Sequence, residues 1–220
     1  MSPAKLRIER VDRAEAGDGV YEPWGAAREL FGYRGREVLV AGPAGTGKSR
    51  ACLEKVNLAC MQKPVRCAMV RKTRKSLTQS AMETFEEKVL TAQNRKLVPF
   101  HTGDQEYRYP NGARVIVGGL DDAEKIGSTE FDLVYVQEAT ELEEEDWGML
   151  LRGLRNGVAS YQQILADCNP TYPSHWLKVR CDKGETKLLE SRHEDNPTLW
   201  DRQGGECRRP RWSSSRRRPS

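Results

Sequence analysis

Gly42-Pro43-Ala44-Gly45-Thr46-Gly47-Lys48-Ser49, which reads GxxxxGKS, carries the strongest structural signal in this sequence. It follows an apolar run at residues 38–41 and precedes a helix-like segment at residues 50–61. A glycine-rich loop between a strand and a helix directs several backbone N–H groups inward, which makes an anion-binding site at the helix N-terminus. The stretch is therefore predicted to bind the phosphates of a nucleotide, and we call residues 42–49 the P-loop.

The side chains of the P-loop have separate predicted roles. We expect Lys48 to act in catalysis by reaching the β- and γ-phosphates of ATP, and the Ser49 hydroxyl to coordinate Mg²⁺. The whole loop is predicted to contact the nucleotide: Gly42, Pro43, Ala44, Gly45, Thr46, Gly47, Lys48 and Ser49. The alternative is a glycine-rich turn without a ligand, which the flanking strand and helix disfavour.

Apolar runs and turn signals outside the P-loop predict further strands and helices. Strands are predicted at residues 38–41, 65–70, 131–136 and 163–166, and a hairpin at residues 107–117. Apolar residues recur every fourth position at residues 76–90, which predicts a helix. Another helix is predicted to open with a capping box formed by Thr140 and Glu143. This alternation predicts an α/β fold, a P-loop NTPase with a mostly parallel central sheet and helices on both faces.

The net charge of +4 comes from the C-terminal end of the chain. Residues 202–220 hold seven arginines and one acid, Glu206, so they carry +6 and the preceding 201 residues sum to −2. The body of the protein is therefore not a basic nucleic-acid binder by composition. Six scattered cysteines without CxxC spacing fit reduced thiols better than a zinc site or a disulfide framework.

Three parts are predicted along the chain. Residues 1–36 form a polar N-terminal segment with an aromatic island, and residues 37–200 form the P-loop ATPase domain. Residues 201–220 show no hydrophobic periodicity and are expected to be a basic disordered tail, a nucleic-acid-binding tail or sequence out of frame. No apolar run approaches the ~20 residues of a membrane span, and the N-terminus lacks the apolar core of a signal peptide, so no membrane association is expected.

The strand predicted at residues 131–136 ends in two polar residues, Gln137 and Glu138. A carboxylate at this position can orient and deprotonate the water that attacks the γ-phosphate, and Glu138 is the candidate for that role. Gln137 can hydrogen-bond a metal-bound water but adds no negative charge, so looser Mg²⁺ binding is expected. The alternative is an ordinary strand end followed by an acidic helix start.

Together, the P-loop, residues 118–122 and residues 131–141 resemble the ATPase domain of tailed-bacteriophage terminase large subunits, and residues 193–197 are also similar to that family. The resemblance extends from about residue 21 to residue 199. It implies an ATP-hydrolysing motor that uses Mg²⁺ and drives double-stranded DNA into the procapsid. Further implied partners are a terminase small subunit, a portal protein and other copies of the chain in a ring, in the host cytoplasm and transiently at the portal.

The resemblance also implies roles for residues outside the P-loop. Asn169 matches an asparagine that senses the γ-phosphate and couples hydrolysis to movement; without the family, Asn169-Pro170 is simply a good turn. Tyr21 and Trp24 match an adenine-contacting segment, although packing of these rings onto the domain explains them equally well. Arg71 follows the second predicted strand, at the edge where ligands bind in such sheets, and is the candidate for stabilising transition-state charge. A solvated basic loop is the alternative.

Two other functions stay open from the sequence. One is a different nucleic-acid-remodelling P-loop ATPase, such as a helicase; the other is a truncated product that binds nucleotide without turnover. Terminase large subunits usually continue into a nuclease domain with an acidic two-metal site. Nothing after Asp201 resembles that domain, so nuclease activity is not expected from this chain.

Overall fold

Eight strands form one sheet in the computed structural model, which describes residues 21–122, 126–196, 200–201 and 206–207. In chain order they are β1 (Glu37–Ala41), β2 (Arg66–Arg71), β3 (Phe100–His101), β4 (Glu106–Arg108), β5 (Arg114–Gly119), β6 (Leu133–Val136), β7 (Gln163–Cys168) and β8 (Lys187–Glu190). Their order across the sheet is β3-β4-β5-β2-β6-β7-β1-β8. Neighbours from β5 to β8 in this order are all parallel, and β4 and β3 extend one edge antiparallel. The predicted mostly parallel sheet is confirmed.

Helices cover both faces of this sheet, as predicted. They are α1 (Gly25–Gly32), α2 (Lys48–Gln62), α3 (Arg74–Leu77), α4 (Ala92–Leu97), α5 (Glu144–Gly153) and α6 (Trp176–Asp182). One apolar core contains α1, α2 and the segment after α3, and the other contains α5 and α6. Strand β2 contributes side chains to both cores. Cys67 and Met69 point into the first, and Ala68 and Val70 point into the second. The near-continuous apolar runs of the predicted strands reflect this burial on two faces.

The helix predicted at residues 76–90 forms with wider turns than a regular α-helix. Residues 78–82 and 85–89 follow π-type turns, and the N–H of Leu90 bonds the carbonyl of Phe85 at 2.8 Å, five residues back. In a regular helix, residues spaced by four drift by about 40° at each step, because one turn takes 3.6 residues. The wider turns remove much of that drift, and the four apolar residues of the repeat are all buried: Leu77, Ala81, Phe85 and Val89.

The capping box predicted at Thr140 and Glu143 is wrong. Residues 139–141 form a single 3₁₀ turn, and α5 begins at Glu144 with Glu143 as its N-cap. There the backbone N–H of Glu143 donates to Oδ2 of Asp146 at 3.0 Å. The helix starts late because Leu142 has extended backbone angles, φ −84° and ψ 152°, and interrupts the helical path. The predicted hairpin is confirmed by the antiparallel pairing of β4 with β5.

Two short antiparallel strands, β9 (Trp200–Asp201) and β10 (Glu206–Cys207), follow the main sheet. The other residues of the predicted basic tail, and most of the predicted N-terminal segment, lie outside the described residues. The described part of the chain contains no helix long and apolar enough to cross a bilayer.

Candidate nucleotide-binding site

Three predicted site segments meet at the carboxyl edge of the sheet. The P-loop follows β1, Glu138 follows β6, and Asn169 follows β7. Strand β7 lies between β6 and β1, so the loops after these three parallel strands are direct neighbours. This is the edge at which ligands bind in open α/β sheets.

The backbone of the P-loop passes very close to the end of β8. A Cβ atom added to Gly42 would lie 2.1 Å from the carbonyl oxygen of Ser191, so only glycine fits at this position. At the other end of the loop, Gly47 has φ +90° and is the N-cap of α2. L-residues with side chains rarely adopt this left-handed conformation. The two glycines thus shape the strand-to-helix turn that the sequence predicts.

Lys48 lies within the P-loop with its ammonium group close to three oxygen atoms. The Nζ atom donates to the carbonyl of Gly42 at 2.8 Å and to the carbonyl of Pro43 at 2.9 Å. It also lies 3.4 Å from Oδ1 of Asn169. The structure therefore brings together the predicted phosphate-binding lysine and the predicted coupling asparagine, which are 121 residues apart in the sequence.

The hydroxyl of Ser49 donates a hydrogen bond to the carboxylate of Asp167, on β7. The same carboxylate accepts a hydrogen bond from the hydroxyl of Tyr135 at 3.1 Å and another from the backbone N–H of Glu138 at 3.0 Å. Asp167 is 1% exposed, and burial raises its pKa even though the hydrogen bonds from Ser49 and Glu138 and the charge of Lys48 oppose the shift.

Asp167 was not among the site residues predicted from the sequence. The signal that could have identified it is an acid directly after the apolar run at residues 164–166, and the structure shows that all residues of Gln163–Cys168 are buried. Carboxylates are rarely fully buried without a specific partner, so an acid inside such a run indicates a functional or structural site.

Glu138 has an unusual backbone conformation. Its φ of +49° lies in the left-handed region, where residues other than glycine are uncommon. The conformation turns the chain sharply at the end of β6, and the N–H of Glu138 then points at Asp167. Burial, followed by the negative charge of Asp167, raises the pKa of the Glu138 carboxyl. A raised pKa brings a carboxylate closer to the range suited to accepting a proton.

Gln137 contacts a different part of the molecule. Its side-chain amide oxygen lies 2.7 Å from Oγ of Ser80, in the wide-turn segment that follows α3. Gln137 was predicted to join Ser49 in holding the metal, but the structure pairs Ser49 with Asp167 and Gln137 with Ser80.

Arg71, at the end of β2, forms a two-pronged ion pair with Glu141. Its Nε lies 2.8 Å from one carboxylate oxygen of Glu141, and its Nη2 lies 2.5 Å from the other. Hydrogen bonding to Glu141 raises the pKa of the guanidinium. Glu141 follows Glu138 by three residues, so the ion pair holds Arg71 at the same edge of the sheet as the P-loop.

The two aromatic residues predicted to contact adenine both lie before the start of α1. The ring of Tyr21 packs 6.0 Å from that of Phe31, and the guanidinium of Arg50 lies 5.0 Å from its centre. Arg50 directly follows Ser49 in α2, so Tyr21 sits beside the start of that helix. Trp24 is the N-cap of α1, and its carbonyl accepts from Ala27 at 2.9 Å. Their contact with adenine stays a prediction.

A protein-family model described as phage terminase large subunit matches residues 35–201. The chain belongs to this family. The match includes the P-loop, Glu138 and Asn169, and it agrees with the resemblance seen in the sequence. No curated protein sequence matches that of the terminase chain.

Solved structures share the fold of the terminase chain at low sequence identity. The large terminase of a thermophilic bacteriophage is 16% identical with a TM-score of 0.66, and the match covers 83% of this chain and 48% of that one. The same thermophilic phage enzyme in complex with ATP-gamma-S gives a TM-score of 0.61 at the same identity and coverage. The UvsW helicase of bacteriophage T4 is 13% identical with a TM-score of 0.55, covering 84% of this chain and 64% of that one. The terminase chain spans about half the length of the thermophilic phage terminase that it matches.

Proposed function

We propose that the terminase chain binds ATP at the P-loop, hydrolyses it, and acts as the motor domain that drives double-stranded DNA into a procapsid. The observation that supports this most directly is the meeting of Lys48, Glu138 and Asn169 at one sheet edge. A phosphate-binding lysine, a carboxylate of raised pKa and an asparagine beside the lysine are the parts that phosphoryl transfer to water requires.

The residues of the site fit Mg²⁺, the metal that the family implies. Mg²⁺ prefers oxygen ligands, and it is usually bound by one or two carboxylates or hydroxyls together with the phosphates of the substrate. The Ser49 hydroxyl and a buried carboxylate lie together at the start of α2, next to the P-loop. The metal, when bound, neutralises charge on the phosphate oxygens. The Ser49 hydroxyl would hold it.

Each catalytic side chain has a defined task in this proposal. The ammonium of Lys48 exchanges its loop carbonyls for phosphate oxygens and stabilises charge that develops there. The carboxylate of Glu138 orients the attacking water and accepts its proton. Asn169, beside Lys48, senses the γ-phosphate and transmits its loss along β7. Arg71 stabilises transition-state charge once released from Glu141, and Tyr21 and Trp24 contact the adenine.

Packaging requires more than this site. We propose that the chain works as a ring of copies on the portal, together with a terminase small subunit, in the host cytoplasm. DNA is gripped locally, because residues 1–201 carry a net charge of −2 and no overall basic surface is implied. Electrostatic grip on phosphates weakens as salt increases, so ATP-driven movement should be sensitive to ionic strength.

A second candidate is a nucleic-acid-remodelling ATPase, which the shared fold with the UvsW helicase favours. The two candidates differ in their effect on duplex DNA. A packaging motor hydrolyses ATP and moves duplex DNA without separating its strands, whereas a helicase separates them. The third candidate, a nucleotide-binding product without turnover, is favoured by the neutral Gln137 beside Glu138.

The test is a comparison of this chain with its Lys48→Ala variant in three assays. We expect the original chain to hydrolyse ATP, to package DNA into procapsids that carry the portal, and to cause no strand separation. The variant should show no ATP hydrolysis above background. Strand separation would favour the helicase. ATP binding without hydrolysis in the original chain would select the third candidate, and hydrolysis unchanged in Lys48→Ala would contradict the site.

A further inference from the structure

We propose that Asp167, on β7, supplies the carboxylate that supports Mg²⁺ at the P-loop, in place of the uncharged residue before Glu138. This inference rests on the proposed function, because it assigns a residue of the same nucleotide site. Its starting point is that Gln137 brings no charge to the end of β6 and that its amide lies against Ser80. The carboxylate that bonds the P-loop hydroxyl comes from another strand.

The order of the strands explains why an acid on β7 can take this position. Strand β7 lies between β6 and β1, and Asp167 is paired in register with Val40, two residues before the first glycine of the P-loop. Neighbouring strands lie about 4.8 Å apart, so a residue on β6 is two strand spacings from β1. A side chain on β7 has only one spacing to cross to reach the start of α2.

The surroundings of the Asp167 carboxylate are suited to a cation. Among the described residues its three hydrogen-bond donors are neutral: the hydroxyls of Ser49 and Tyr135, and the backbone N–H of Glu138. The carboxylate forms no salt bridge with any lysine or arginine in the described part of the chain. A buried carboxylate without a paired cation is costly, and a divalent ion held beside the Ser49 hydroxyl would compensate its charge.

The same carboxylate joins the metal position to the catalytic base. One oxygen, Oδ2, faces Ser49, and the other, Oδ1, accepts from the N–H of Glu138. Asp167 therefore serves as a positioning residue for Glu138 as well as a support for the metal. Asparagine is the suitable replacement, because it keeps the shape and one acceptor oxygen while it removes the charge.

The test measures binding rather than hydrolysis. Affinity for ADP is measured by calorimetry with Mg²⁺ and with EDTA, and Mn²⁺ binding to the ADP complex is followed by electron paramagnetic resonance. For Asp167→Asn we expect the metal concentration at half-saturation to rise about 10- to 100-fold, with affinity in EDTA nearly unchanged. For Gln137→Met we expect the metal response to stay close to that of the original chain.

Asp132→Asn is a matched control for the structural effect of replacing a buried carboxylate with an amide. Asp132 is also fully buried, and it accepts hydrogen bonds from Asn156 at 2.6 Å and from the N–H groups of Val158 and Ala159 at 2.8 and 2.9 Å. It precedes β6, at the opposite edge of the sheet from the P-loop. This variant should lower the melting temperature without altering the metal response.

The outcomes separate this inference from the proposed function. If the original chain binds no nucleotide, or binds it equally with and without Mg²⁺, the proposed function fails and this inference with it. If Mg²⁺ changes the ADP affinity of the original chain and of Asp167→Asn equally, only this inference is overturned. If Gln137→Met alone loses its Mg²⁺ dependence, this inference is overturned as well. If Asp167→Asn does not fold, Asp167→Ser, which also removes the charge, replaces it, and an unchanged half-saturation in that variant would overturn the assignment.

Discussion

The ammonium nitrogen of Lys48 lies 3.4 Å from the side-chain oxygen of Asn169, although 121 residues separate them in the chain. The contact exists because β7, which ends just before Asn169, is the direct neighbour of β1, which ends just before the P-loop. A change at the phosphate position can therefore reach the end of β7 through one hydrogen bond. This relationship is the physical basis for the coupling role proposed for Asn169.

Lys48→Ala should abolish hydrolysis and leave the fold intact. The ammonium group bonds only the carbonyls of Gly42 and Pro43 and the amide of Asn169, so its removal opens no apolar core. We expect ATP turnover to fall by about 10²–10³ or more, the cost of removing a charge-stabilising group. Phosphate release measures the effect, and circular dichroism is the control. A variant with normal turnover would contradict the assignment of the P-loop.

Asn169→Asp should weaken nucleotide binding. The variant would place a carboxylate about 3.4 Å from the ammonium of Lys48, and the ion pair formed there would compete with the phosphates. We expect the Kd for ATP-gamma-S to rise about tenfold, equivalent to about 1.4 kcal/mol. Asn169→Ala is the control, because it removes the contact with Lys48 without adding charge and should raise the Kd less than Asn169→Asp does. Equal affinities for the two variants would contradict the proposed contact with phosphate-bound Lys48.

Glu138→Gln should separate binding from turnover. Glutamine keeps the size of the side chain and the backbone N–H that bonds Asp167, but it cannot accept a proton from water. We expect the hydrolysis rate to fall by about 10²–10⁴ with unchanged ATP affinity, the usual cost of losing a general base. Single-turnover hydrolysis and equilibrium binding measure the two quantities. Turnover close to that of the original chain would exclude Glu138 as the base.

Gly42→Ala should disturb the strand edge beside the P-loop. The added Cβ would meet the carbonyl of Ser191 at 2.1 Å, which is backbone and cannot rotate away. We expect a loss of about 1–3 kcal/mol in the free energy of unfolding, together with weaker nucleotide binding. Gly32→Ala, at the end of α1, is the matched control, because its Cβ would meet nothing within 4 Å. Urea unfolding compares them, and equal stabilities would contradict the close approach.

Lys55 should make stability depend on pH. Its ammonium is buried and donates to the carbonyls of Leu30 and Tyr33, each at 2.8 Å, and to Gln163. Burial, followed by the charge of Arg34, lowers the pKa of Lys55 to about 7. Above pH 7 the unfolded chain therefore binds more protons than the folded one at this site, so the free energy of unfolding should rise with pH.

The comparison is with Lys55→Met, which lacks this titrating group but keeps the buried cysteines and tyrosines. Between about pH 7 and pH 9, the stability of the original chain should rise relative to the variant by about 1–2 kcal/mol. Urea denaturation at several pH values measures the difference. Parallel pH profiles would show that the pKa of Lys55 is close to that of an ordinary lysine in the folded protein.

Much of the fold could be predicted because its signals are local. The P-loop, the apolar strands and the helix after the loop could be predicted from the sequence, because each depends on residue types at fixed spacing. The capping box was misplaced because residues 139–141 form a single 3₁₀ turn and Leu142 is extended, so α5 begins only at Glu144. The extended conformation of Leu142 has no signature in the residue types around it.

The chain's own residue pattern was enough to specify the P-loop, the mostly parallel sheet and the family, because glycine spacing and hydrophobic periodicity act over a few residues at a time. The partners of the site residues depend instead on which strands become neighbours. The placement of β7 between β6 and β1 puts Asp167 against Ser49, and Gln137 goes to Ser80. Strand order reflects the packing of the whole sheet and its helices, so these contacts appear only once the chain has folded.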